Sequence, residues 1–167
     1  MNSKTIFGLS IAAIFAISMV GMAFASGHDM LSSYSISGNG AKTVTFTATA
    51  NVPTDGTGGN FGFGIVAEKG VVVAVSHPVA IDSVAQPPLE AFHSHLVQLE
   101  GTTDCSNQLA VASLTKHEVG KVSVSGSQVK IKNVPPGQSG DLTGPAVSFT
   151  LSLENGRVCV NPTAIVP

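Results

Sequence analysis

The sequence predicts an all-β protein: an antiparallel β-sandwich of about nine strands, or a flattened barrel of the same strands, following an N-terminal signal helix. Three observations predict it. Thr43-Val44-Thr45-Phe46-Thr47-Ala48-Thr49-Ala50 alternates strictly, threonines on one side and apolar residues on the other, which is the pattern of a half-buried antiparallel strand. Short apolar or alternating runs recur along the chain, divided by Gly-, Asn- and Pro-containing turns. No stretch beyond residue 25 carries a convincing helical period.

The first 25 residues stand apart. Lys4 precedes an apolar run from Ile6 to Phe24, and Ala23-Phe24-Ala25 offers small residues at the positions a signal peptidase reads. This predicts export, with residues 1–25 as signal peptide and 26–167 as one β-sandwich domain. A retained membrane anchor is the competing reading of the same run. Cleavage after Ala25 or after Gly27 both fit. The expected location is a secreted, extracellular or periplasm-like space.

In chain order, Met30 to Ser37 reads as the first strand, stopped by Gly38-Asn39-Gly40, and the threonine strand follows. Pro53 to Asn60 is a Gly-rich loop. Phe61 to Ala67 and Val71 to Val75 flank Glu68-Lys69-Gly70 as a hairpin whose arms are almost wholly apolar or Gly, which places it mid-core. A loop with three prolines runs from His77-Pro78 to Pro87-Pro88. The next strand is Phe92-His93-Ser94-His95-Leu96-Val97-Gln98-Leu99-Glu100-Gly101, and Leu109 to Leu114 is another. Val122-Ser123-Val124 and Val129 to Lys132 bracket a second turn, and Pro135 to Pro145 reads as a loop. Val147 to Leu153 alternates again, and Asn155-Gly156 predicts a type I′ hairpin with Glu154 opposite Arg157.

Only 11% of residues are charged and the net charge is −2, with no cluster of Lys or Arg, so no nucleic acid is expected as partner. No segment of the mature chain is long and apolar enough for a membrane span. Cys105 and Cys159 are the only cysteines, and in an exported chain they read as one disulfide, two free buried thiols being the alternative.

The chemistry points to histidine. Residues two apart on a strand stand side by side, so His93 and His95 share one face with Val97 and Leu99. Two neighbouring imidazoles on a rigid strand begin a copper or zinc site, which needs three or four ligands. His77 and His117 flank strands and are candidates for the rest. His28 is another: with a terminus at Ser26, amine, amides and imidazole can wrap Cu(II). Against this stands the plain reading, in which each histidine is an ordinary strand, loop or terminal residue. Blue-copper spacing, a His-Glu-x-x-His zinc motif and a Gly-x-Ser-x-Gly elbow are all absent.

Phe92-His93-Ser94-His95 with Cys105 ten residues beyond His95 resembles the copper-ligand strand and first disulfide cysteine of Cu/Zn superoxide dismutases. Gly156-Arg157-Val158-Cys159-Val160 resembles their C-terminal strand, and His117-Glu118-Val119-Gly120 is similar to the segment carrying one zinc ligand. The resemblance implies an antiparallel sandwich, His93 and His95 on copper, Arg157 as the catalytic anion guide, and a Cys105–Cys159 bridge. The chain departs from the family at the bridging histidine, at the zinc aspartate (Gly120 stands there) and at the last copper ligand. Three functions follow: copper handling or a reduced dismutase-like role, a structural or adhesive cell-envelope module without metal, and an active superoxide dismutase. A metal ion is the expected partner, with any protein partner unknown.

Overall fold

Strand after strand follows the period of two. The structure, a computed structural model, describes residues 27–55, 57–77 and 92–167; the expected signal helix and most of the three-proline loop lie outside these. Among the described residues there are ten strands: β1 (Leu31–Ser37), β2 (Lys42–Ala48), β3 (Phe61–Ala67), β4 (Gly70–Ser76), β5 (His93–Gly101), β6 (Leu109–Leu114), β7 (Lys121–Ser125), β8 (Gln128–Val134), β9 (Leu142–Glu154) and β10 (Arg157–Val166). A single helical turn, Pro136–Ser139, is the helix among them. No helix there is long and apolar enough to cross a membrane.

The all-β, antiparallel expectation is met, but the two sheets are not both open. One has four strands in the order β1-β2-β8-β7; the other closes into a six-stranded barrel, β10-β6-β5-β4-β3-β9. Closure follows from the length of β9, which pairs along one edge with β3 and along the other with β10. The segment read as a loop up to Pro145 is shorter than expected, because β9 already begins at Leu142.

The predicted hairpins form. Asn155 and Gly156 take φ of 49° and 77°, the positive values a type I′ turn requires, and Arg157 pairs with Glu154 in register. All seven positions of both β3 and β4 are buried, because each face of this wall is covered. Phe61, Phe63, Ile65, Val72 and Ala74 point out of the barrel to pack beneath Val44, Phe46, Val129 and Ile131 of the four-stranded sheet. Val66, Val71, Val73 and Val75 point inward, with Val97, Leu99, Val147 and Phe149.

Cys105 and Cys159 form the disulfide, buried beside Ala110. The turn around Cys105 is fastened to the β9–β10 hairpin. Asn155 Nδ2 donates to the Asp104 carbonyl (2.9 Å), and the Glu154 carboxylate accepts from the Ser106 amide (2.8 Å) and hydroxyl (2.7 Å). Those bonds, with one from Ser152 Oγ, hold the Glu154 carboxyl below its ordinary 4.5.

Two predictions follow from this corner. Replacing both cysteines by serine releases a closed loop of 54-residue separation and should lower unfolding free energy in urea by about 4 kcal/mol. A carboxyl depressed by folding stabilises above its unfolded pKa and loses that contribution as pH falls through the folded value. Thermal melts of wild type and Glu154→Gln should therefore differ most above pH 4.5 and converge on acidification.

Candidate functional site

The inner face of β4 and β5 carries the site. In their antiparallel register Val75 stands opposite His93, Val73 opposite His95 and Val71 opposite Val97. His93 and His95 therefore face inward together, as the alternation of the sequence predicts. His77 continues the inward row Val71, Val73, Val75 one step beyond the end of β4, which places it diagonal to His93.

The three rings form a chain. His77 Nε2 and His93 Nε2 lie 3.1 Å apart, with ring centroids 4.7 Å apart at 87°. His93 and His95 have centroids 4.8 Å apart, again at 87°. All three are buried, at 2%, 4% and 2% exposure, so these nitrogens are withdrawn from bulk water.

His95 is held by the strand beside it. Its Nδ1 lies 2.8 Å from the carbonyl oxygen of Thr115, which can only accept, so Nδ1 carries the proton and Nε2 the lone pair. Thr115 is fixed in turn: its amide donates to Leu96 O (3.0 Å), and its hydroxyl accepts from Leu96 N (3.1 Å). Ser94, on the outer face between the two histidines, donates to Gly120 O (2.7 Å) and accepts from Val119 N (3.1 Å). Thus β5 pins both ends of the 115–120 segment, and that segment orients the His95 ring. This is the outer-sphere support that metal-ligating imidazoles usually have.

The remaining candidates lie elsewhere. His28 Nε2 is 3.2 Å from Gly58 O and its ring stands edge-on to Phe61 at 4.9 Å. His117 is exposed on the segment between β6 and β7. Arg157 pairs with Glu100, five residues beyond His95 on the same strand, about 17 Å away at the rise of an extended chain. The structure thus brings His77, His93 and His95 together and leaves His28, His117 and Arg157 apart from them.

Thr115 and Ser94, which hold the His95 ring and the segment beside it, are positions that the sequence reading passed over. The signal for His77 was present, since it extends the odd-numbered valine row of β4. The signal for Thr115 was not, because its role depends on the β5–β6 pairing.

Below the histidines, the barrel holds a partly open cavity of about 50 Å³, walled by aliphatic and aromatic side chains together with His77 and His95. The donors are all imidazole. Two nitrogens bound to one zinc or copper ion at about 2.0–2.1 Å stand roughly 3 Å apart, and the His77–His93 spacing of 3.1 Å fits. Among the described residues, no group of three or more His, Cys, Asp or Glu side chains is already arranged to hold a metal ion. Comparison with protein-family models, with curated proteins and with solved structures finds no match for this chain.

Proposed function

We propose that this is an exported copper-binding protein in which His77 and His93 supply the first two ligands and His95 the third, and that its role is copper handling. The observation carrying this reading is the 3.1 Å approach of two buried Nε2 atoms at one end of the barrel. Imidazole donors without thiolate or carboxylate suit copper, and Cu(II) leads the divalent series for nitrogen sites, ahead of zinc. The third ring stands one pleat along the strand, its centroid 4.8 Å from that of His93 and its Nδ1 on the Thr115 carbonyl. Copper bound there would supply redox or Lewis-acid chemistry, while the chain supplies burial, the Thr115 restraint and an uncharged wall. The buried disulfide and the apolar run before residue 26 support an oxidising compartment outside the cytoplasm.

Copper titration of residues 26–167 carrying His28→Ala, so that the amine, amides and imidazole of the new terminus cannot wrap Cu(II), tests it. One equivalent should bind, and His77→Ala or His93→Ala should weaken binding by at least about 100-fold, the upper end of what losing an outer-sphere partner does. His117→Ala in the same background should leave binding unchanged. If His28→Ala abolishes binding while His93→Ala does not, the barrel site is refuted.

A structural or adhesive role has its own observation. On the face of the four-stranded sheet turned away from the barrel, Ser33, Ser35 and Ser37 stand opposite Thr47, Thr45 and Thr43. Gln128 and Lys130 extend these rows to Ser125 and Ser123. A flat hydroxyl ladder of this kind suits a polyhydroxylated surface such as a glycan. On that reading, Ser35→Glu with Thr45→Glu abolishes retention on isolated cell-wall polysaccharide and leaves copper affinity untouched; retention equal to wild type removes the adhesive role.

A further inference from the structure

The metal reading uses the cavity's uncharged wall but assigns nothing to the space within it. We infer that it is a binding chamber for a small apolar gas molecule of the dioxygen class, held beside His77 and His95. Its walls include Val73, Val97, Leu99, Val147 and Phe149, and among the described residues no charged side chain contributes.

Size and wall chemistry select the occupant. At about 50 Å³ the space exceeds what one water needs and is about a third of the 150 Å³ that admits benzene. A water also needs two to four polar partners. Among the described residues, the polar side chains on the wall are the two histidines: His77 Nε2 faces His93, His95 Nδ1 donates to Thr115, and His95 Nε2 could offer a water one acceptor, short of the two to four partners it needs. Water there would give up more hydrogen bonding than it regained. An uncharged diatomic molecule gives up almost none in leaving solvent, and it gains dispersion contacts with the aliphatic wall.

The chamber also resists collapse. Eight of its fourteen lining residues are valines, which are stiff about χ1 on a strand and cannot swing across the gap. The strands carrying them are locked in a closed barrel, so the walls cannot draw together as an open sheet could. The inference goes beyond the metal reading and does not need it, since the walls are complete without an ion.

Xenon is the probe, applied under pressure to the metal-free, disulfide-bonded protein and followed by methyl NMR. Saturable shifts are expected at Val73, Val97, Leu99 and Val147, with none at Val44, Val129 or Ile131 in the other core. Val147→Ile, which fills part of the space, should weaken xenon binding at least tenfold. Val160→Ile makes the same test should that variant not fold. Leu99→Ala should retain xenon and add benzene binding. Shifts that rise linearly at every methyl, saturable shifts unchanged in the isoleucine variants, or magnetisation transfer from bound water to these methyls would overturn the inference. Copper binding is measured separately, so either reading can fail alone.

Discussion

The register of β4 against β5 is the constraint on which the site depends. Val75 opposite His93 and Val73 opposite His95 set both strands' odd-numbered residues on the inside of the barrel. A slip by one residue would turn every side chain over, placing the imidazoles against the four-stranded sheet and Ser94 and Leu96 in the cavity. Such a slip is opposed from both sides. The outer face needs Val72 and Ala74 beneath Phe46 and Ile131, and the inner face needs Val71, Val73 and Val75. The histidines are positioned less by their own contacts than by a wall that is apolar on both faces and has one way to pair.

That wall is crowded at one strand and loose at its centre. Gly62 and Gly64 fall on the inner face of β3, where a Cβ at Gly62 would meet Ala74 O at 2.6 Å and Phe149 at 2.8 Å. One at Gly64 would meet Val71 Cγ1 at 2.9 Å. These glycines let Phe149 and the valines of β4 occupy the space that side chains on β3 would take. The cavity beyond them costs about 1 kcal/mol at the usual penalty per unit of empty volume. Interiors are ordinarily close-packed, so a void that a methyl group would partly fill, lying directly against two histidines, sets this part of the barrel apart from the rest of the core.

Much of this was legible in the chain, because a period of two writes facing directly into sequence. The alternation of 43–48, the Asn155-Gly156 turn and the shared face of His93 and His95 are local statements, and the structure agrees with each. The disulfide was legible from the two cysteines alone. Two alternating runs end early: β2 stops at Ala48 and leaves Ala50 exposed, and Leu153 near the end of β9 is 67% exposed. Which of sandwich and flattened barrel forms was not legible. Whether two sheets stay open or one joins its own ends depends on β9 pairing along both edges, a property of no single segment. Long-range partners were equally hidden. Glu154 was read as facing Arg157, and the register agrees, yet the guanidinium pairs with Glu100 and the carboxylate holds Ser106. His77 looked like a loop residue because it precedes a proline, although it completes an inward row of alternate residues.

The His77–His93 contact has one further consequence. In neutral rings, two Nε2 atoms at 3.1 Å hold a single proton between them: one nitrogen donates and the other accepts. The donor ring then has its lone pair at Nδ1, and the acceptor ring has its proton there. A metal ion between the two needs both lone pairs at Nε2, so one ring must change tautomer and move its proton to Nδ1. His95 needs no such change, since the Thr115 carbonyl already fixes its proton at Nδ1. On the copper reading, the three imidazoles are therefore unequal: one is held ready by the backbone, one is ready by virtue of accepting, and one must be switched. The hydrogen bond that keeps the pair together without metal is the interaction that an incoming ion has to replace, and that exchange sets how tightly this end of the barrel can hold one.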